Sequence, residues 1–321
     1  VRDLGNFLIR LLRSNEGTAV ILFALALTGL LGSVALVTDV GLLYSHRAQL
    51  VNAADAAALA GAQELPANPD TACEVARQYL VANGVAADQA EIEVSSDNRS
   101  LTVRTYSRVE LLFARVLGIA EKDVNAAATA AVVPLSAVSG AVPFGIEEQE
   151  LIYGEEYVLK EGAGNGGAER GEDGRYHGWY GALDLDEYQG GGARDYEERV
   201  KYGYEGMLHV GDVVFIEPGN MSGPTTRGIK YRINQCQQGC SFDDFSRDCP
   251  RLVIVPVIRI VEWRGNHPWC AQIRGFAAFF LEGVEGQGRD NNVIGRFVRT
   301  VCPGEVGAGG DFGVYTVRLT H

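Results

Sequence analysis

TAVILFALALTGLLGSVALVT, residues 18–38, runs directly into DVGLLYSHRAQLVNAADAAALAGAQEL, residues 39–65, and these two stretches decide the architecture. The first carries no formal charge over 21 residues. At about 1.5 Å of rise per residue, a helix of that length crosses a hydrocarbon layer of about 30 Å. A core helix of a soluble domain would show a polar face, and this run has none. A secretory signal has a shorter apolar centre and a small-residue cleavage site, whereas here the helical pattern continues past the apolar run. Residues 39–65 are rich in Ala and Leu, both strong helix formers, and no proline interrupts them before Pro66. One continuous helix is therefore expected from about Ser14 to about Leu65, stopped by Pro66.

The flanks orient the segment. Arg2, Arg10 and Arg13 precede it, and only Arg47 follows closely. Excess positive charge stays on the cytoplasmic side, so residues 1–16 are expected inside and residues 39–321 outside. No second apolar run of comparable length occurs, so a single pass through the lipid bilayer is expected. The formal net charge of −13 argues against a nucleic-acid partner, because phosphate neutralisation needs a basic surface.

The helical stretch also carries a resemblance. EGTAVILFALAL (16–27), then Asp39-x-Gly41-x-x-Tyr44-x-x-Arg47, then Ala54-Asp-Ala-Ala-Ala-Leu-Ala-Gly61, with Gly17, Leu50 and Asn52, resembles the N-terminal region of TadG-like and TadE-like proteins of the tight-adherence (Flp) pilus machinery. The likeness spans about residues 14–65, and residues 66–135 resemble the small domain that commonly follows. GALDL (181–185), EPGNMSGPT (217–225) and RGFAAFFLEG (274–283) resemble segments of pilus-assembly-related proteins. The resemblance implies a non-enzymatic structural or assembly protein of a pilus or surface filament, with copies of itself or other pilus-assembly proteins as partners. Two departures limit it. The Asp-x-Ser-x-Ser run of a von Willebrand A metal site is absent, so metal-dependent adhesion is not carried over. Leu22 stands where a prepilin has Glu, five residues after the glycine, so an intact anchor is expected.

The helix after the membrane offers small residues at 53, 54, 56, 57, 58, 60, 61 and 62, which let a neighbour approach closely. That neighbour is either the chain's own ectodomain or another chain. The expectation taken forward is intermolecular contact, with Asp39, Tyr44, Arg47, Leu50, Ala54, Asp55, Ala57 and Gly61 as the assembly set. Asp39, Arg47 and Asp55, eight residues apart, would form a charge row that sets register.

The fold class read from the rest is α+β: the long transmembrane helix (17–38) with its juxtamembrane extension (39–65), a small α+β domain (66–135), and a mainly antiparallel β-rich domain (136–321), a sandwich or barrel. In the small domain, Thr71 and Glu74 fit a capping box, and Gly84 would end the helix near Asn83. IEV (92–94) and LTVRTY (101–106) alternate around the turn Ser96-Asp97-Asn98, residues 110–117 read as a short helix closed by Gly118, and 124–133 read as an extended strand. In the large domain EEYVLK (155–160), HVGDVVFIEP (209–218), LVIVPVIRIVEW (252–263), GFAAFFLEG (275–283) and VYTVRL (314–319) read as strands, and the Gly-rich residues 161–175 as a surface loop.

The candidate chemistry is sparse. His46, His177, His209, His267 and His321 are scattered, and Gly-x-Ser-x-Gly is absent, so no catalytic residue is assigned and no enzyme is expected. GAGNGG (162–167) lacks the strand-loop-helix context of a nucleotide site. Asp184, Asp186 and Glu187, and separately Asp243 and Asp244, are candidate Ca²⁺ ligands set against the plainer reading of solvated carboxylates. No other cofactor is indicated. Cys73, Cys236, Cys240, Cys249, Cys270 and Cys302 are disulfide candidates, since the external side permits disulfides. The leading arrangement ties QCQQGCSFDDFSRDCP (235–250) internally and links Cys270 with Cys302; the loose spacing argues against zinc. The alternative function is a membrane-anchored ligand-binding module or extracellular enzyme, distinguished by a deep pocket with convergent polar groups.

Overall fold

The structure, a computed structural model, describes residues 15–161, 169–172, 174–186, 192–217, 221–265, 267–286 and 291–320. Helix α1, Asn15–Ala62, runs unbroken for 48 residues, roughly 72 Å at about 1.5 Å per residue. The continuity expected from the absence of proline is therefore present, and the chain turns away at Leu65–Pro66. Its two halves differ in surroundings. Among the described residues, none from Ala19 to Thr38 is buried, and Leu22, Phe23, Leu25, Leu30, Leu36 and Val37 are exposed. Its three hydroxyls in that half bond back to the helix: Thr28 Oγ1 to Ala24 O (2.8 Å), Ser33 Oγ to Gly29 O (2.9 Å) and Thr38 Oγ1 to Val34 O (2.8 Å). In hydrocarbon, an unsatisfied hydroxyl would be costly. This is a helix whose polar groups need no water.

From Asp39 onward α1 becomes part of a folded unit. Helix α2, Pro69–Ala82, and α1 lie against one face of an antiparallel sheet of β1 (Ala90–Val94), β2 (Ser100–Glu110) and β3 (Glu121–Val138). Helix α2 begins at Pro69, two residues before the expected cap: proline, which lacks an N–H, is tolerated in a first turn, and Thr71 lies inside the helix. Gly84, at φ +78°, takes the left-handed turn that ends it. The β1–β2 hairpin turns at Asn98, at φ 56°. Residues 110–117 differ from expectation. Glu110 still belongs to β2, and only Ala114–Leu117 form a single 3₁₀ turn closed by Gly118 at φ 88°.

Strand β3 continues through the boundary expected at 135/136. The last strand, β11 (Val314–Thr320), returns from the far end of the sequence to pair antiparallel with β3, giving the order β1-β2-β3-β11. The packing here is small residue on small residue. Ala53, Ala54, Ala57, Ala58 and Ala62 of α1 face Ala128 and Ala130 of β3 and Ala72 and Ala76 of α2, with Leu50, Leu80, Leu101 and Val103 filling between them.

The second unit is a closed barrel. Its strands are β4 (Phe144–Glu147), β5 (Glu156–Glu161), β6 (Tyr176–Asp184), β8 (Leu252–Arg264), β9 (His267–Glu285) and β10 (Asn292–Val298), with β7 (Val213–Ile216) bridging β6 and β9. The pairings run β8-β4-β6-β5-β10-β9 and back to β8. The β8–β4 and β6–β5 contacts are parallel and the other four antiparallel. The mainly antiparallel expectation thus resolves to a barrel. All six strands contribute to one apolar cluster, including Phe144, Tyr157, Tyr180, Val255, Phe279 and Phe297, and strands around a ring share a cluster only through its interior. Tyr157 and Phe279 each pack against Phe297, at centroid distances of 4.8 and 4.9 Å. Two helices were not expected from the sequence: α3 (Gly192–Tyr202) and α4 (Ser222–Gln235). They add Tyr196, Val200 and Ile229 to the cluster.

Candidate functional site

The region that sets this chain apart is where α1 passes from its exposed apolar half into the folded unit. Asp39, the first charged residue after the apolar run, is only 4% exposed. Its carboxylate accepts the backbone N–H groups of Leu112 (2.8 Å), Phe113 (3.1 Å) and Ala114 (2.6 Å). The turn at 112–118 leaves those donors without partners in its own backbone, and a carboxylate is the acceptor that satisfies several at once. Burial pushes the Asp39 pKa up, but the three N–H donors outweigh it and hold the carboxyl below its ordinary value.

The same contact fixes the loop it grips. Leu111 is buried, but Leu112, Phe113, Val116, Leu117 and Ile119 are exposed, Val116 by 85% and Leu117 by 83%. Charged residues rim this apolar tip: Arg115 pairs with Glu110 (3.4 Å), and Arg108 with Glu121 (3.2 Å) and Asp123 (3.1 Å). The sequence reads residues 110–117 as a short helix closed by Gly118. The apolar residues were visible, but their neighbour in space, Asp39, is 73 positions away.

A pH dependence follows from Asp39. A depressed carboxyl pKa contributes stability that is fully present above the ordinary value of 3.8 and is lost as pH falls through the lower folded value. Amide hydrogen exchange at 112–114 should therefore accelerate as pH drops below that range, after correction for intrinsic rates. In Asp39→Asn, exchange there should be fast already at neutral pH and lose this pH dependence. Unchanged protection in the variant would show that the carboxylate does not hold the turn.

The structure distributes the expected assembly set in a different way. Leu50, Ala54, Ala57 and Gly61 are buried in the chain's own core. A Cβ on Gly61 would lie 2.7 Å from Ala72 O and 2.9 Å from Leu101 Cδ1. The face expected to meet another chain is therefore occupied internally. Strand β3 is itself alanine-rich, so the sheet approaches this face as closely as a second helix would. Asp39 is committed to the 112–114 turn and does not form a charge row with Arg47 and Asp55. Asp55 is half-buried, and Tyr44 and Arg47 are exposed.

Elsewhere the candidate ligands are otherwise engaged. Asp184 and Asp186 both pair with Arg199, at 3.4 and 2.5 Å, so a cation of the protein already occupies the position proposed for Ca²⁺. Strand β6 ends at Asp184, and Glu187 lies outside the described residues, as does GAGNGG. Asp243 and Asp244 are exposed in a turn closed by backbone bonds between Ser241 and Asp244 (3.0 and 3.2 Å). None of the six cysteines is joined to another in the structure. Cys270 sits in β9 of the barrel, while Cys302 bonds through its N–H to Tyr315 O in the first sheet, so the two belong to different sheets. Arg2, Arg10 and Arg13, which carried the orientation, also lie outside the described residues.

Residues 17–64 match the family described as "Putative Flp pilus-assembly TadE/G-like". The long helix is TadE/G-like. The matched segment covers both halves of α1 and stops two residues after its end at Ala62, so the likeness takes in the lipid-suited run and the part clamped by the folded unit. No curated protein and no solved structure matches the chain. The TadE/G-like helix is long and apolar enough to cross a membrane, and together with the family match it marks a membrane-anchored protein with a role related to pilus assembly.

Proposed function

We propose that this protein is a non-enzymatic, membrane-anchored assembly or structural component of a Flp-type pilus or related surface filament, with residues 1–16 cytoplasmic and the sheet and barrel outside the cell. The observation that carries the reading is the TadE/G-like helix itself, lipid-suited in one half and built into a folded domain in the other. A rigid connection of this kind transmits position from the bilayer to the outside, which an assembly component needs and a tethered enzyme does not. The filling of the barrel by aromatic side chains supports the same reading, because that space is taken by the protein's own core. The open depression lined by Arg194, Glu197, Lys201 and Arg227 has its charges paired among themselves, Glu197 to Lys201 (2.5 Å) and Arg227 (2.6 Å).

With the alanine face covered, the contact with other pilus components or further copies falls on an exposed stripe of the membrane-proximal half of α1, turned roughly 90° from that face. Val40, Tyr44, Arg47 and Val51 are exposed there at spacings of four, three and four residues, one stripe of a helix. A photo-crosslinking residue at position 44 should capture another chain in cells that express the native partners, and one at position 57 should give only intrachain products. Interchain products from 57 and none from 44 would refute this placement.

A further inference from the structure

The excursion between α4 and β8, residues 236–250, has few apolar residues to hold it, yet it makes a contact that joins the two units. Arg247 donates to Gln63 O (2.7 Å) and Gln63 Oε1 (3.1 Å) and pairs with Glu64 (2.7 Å), just beyond the C-terminal end of α1. Phe242 and Phe245 lay its middle against Phe280, at centroid distances of 6.5 and 5.1 Å, and Arg247 stands two residues before Cys249, where a tie would fix it. Three cysteines converge at its base. Cys236 follows the last residue of α4, Cys240 comes after the left-handed Gly239 (φ +66°), and Cys249 precedes Pro250. Their sulfurs all lie within 4.8 Å of one another, with Cys236 and Cys249 at 3.7 Å.

That arrangement has the dimensions of a metal site. Two thiolates bound tetrahedrally to zinc at about 2.3 Å each stand about 3.8 Å apart. Three sulfurs at one point exceed what one disulfide uses. The backbone also turns donors onto them: Cys236 Sγ accepts N–H groups from Gln238 and Cys240, and Cys249 Sγ accepts that of Arg251. N–H donors on sulfur stabilise and orient a ligating thiolate. Two cations neutralise the surroundings, Arg251 bonding to Cys240 O (2.7 Å) and Arg232 to Pro250 O (3.1 Å). Gln238 Oε1, 4.0 Å from Cys240 Sγ, borders the remaining position.

We propose that Cys236, Cys240 and Cys249 bind one Zn²⁺ ion, with water in the fourth position, and that this ion staples the excursion that carries Arg247 to the end of α1. Binding forms three Zn–S bonds and releases the three thiol protons to solvent; no electron is transferred. The sequence spacing looked too loose for zinc because Cys249 is brought to the other two by the fold of the excursion and not by a local knuckle.

The test uses the full chain purified in lipid nanodiscs without reductant or chelator. Metal analysis should find one zinc per chain, and Cys236, Cys240 and Cys249 should resist alkylation until a chelator is added. Chelation should raise hydrogen exchange at 236–250 and at 63–66. Cys236→Ser and Cys249→Ser should lose the metal, whereas Cys73→Ser and Cys302→Ser should keep it. If the serine variants do not fold, the wild-type chain reloaded with Co²⁺ should show the thiolate charge-transfer absorption of a cysteine-bound ion. A chain that takes up neither metal and is lighter by two hydrogens holds a disulfide, and the proposal is wrong. Zinc that survives in both serine variants would likewise overturn it.

Discussion

Gly61→Leu is expected to abolish folding of the membrane-proximal domain. The position has no room: Ala72 O and Leu101 Cδ1 would stand within 3 Å of even the first side-chain carbon, and the Ala76 methyl at 3.1 Å. One of these neighbours is backbone, which cannot rotate aside. Overpacking a tight core costs about 1–3 kcal/mol when side chains can adjust, and more when they cannot. A small domain has only about 5–15 kcal/mol to lose. Ala57→Leu meets the same sheet and should act in the same direction. Limited proteolysis of the full chain in nanodiscs, followed between residues 66 and 138, would register the loss as rapid cleavage. Tyr44→Leu, on the exposed side of the same helix, serves as the control and should stay within about 0.5 kcal/mol of wild type. A Gly61→Leu protein as resistant as the control would mean that α1 does not pack against this sheet.

The second large effect concerns the loop held by Asp39. Thr38 ends the apolar half of α1, and the very next residue binds the backbone of 112–114. The tip at 112–119 is thus level with the point where the helix leaves the bilayer, and it is expected to lie in the outer interface. Val116 and Leu117 in water would leave unburied side chains worth about 1.5–3 kcal/mol each on full burial. A tryptophan replacing Leu117 should show blue-shifted emission in nanodiscs and be quenched by lipids brominated near the headgroup. Val116→Ser with Leu117→Ser should speed hydrogen exchange across 112–119. Red-shifted emission, quenched by iodide in solution, would place the tip in water and leave α1 as the sole contact with the membrane. With two contacts the domain is held at a defined tilt, a more useful platform for assembly than one helix free to rotate.

Much of this molecule was legible in the one-dimensional chain. The run from residue 18 to 38 is suited to cross a membrane by its length and lack of charge, properties that do not depend on any neighbour. The continuation to Ala62 follows from helix propensity without proline. The hairpin around Asn98, strand β3 and the cores of β5, β8, β9 and β11 followed from alternation or apolar runs between turns, which are also local signals. Helices α3 and α4 were missed for the converse reason. SGPTTRGIKYRINQ contains the residues of a turn, and it is helical because Pro224 falls in the first turn and because Ile229 and Arg232 are buried in the assembled protein.

What the chain could not disclose are the matters of who meets whom. An alanine-rich face records that its partner comes close, and not whether that partner is a second helix, another copy, or Ala128 and Ala130 from 70 residues away. Asp39 reads as a surface charge until the 112–114 turn supplies its donors. Three cysteines spaced by three and eight residues read as loose until the excursion folds and brings their sulfurs together. The last strand belongs to the first sheet, although the whole barrel intervenes in sequence. The physical reason is the same in each case. Propensity and periodicity act over a few residues, whereas burial, a shared hydrogen-bond acceptor or a metal-sized cluster exists only between atoms that folding has made neighbours.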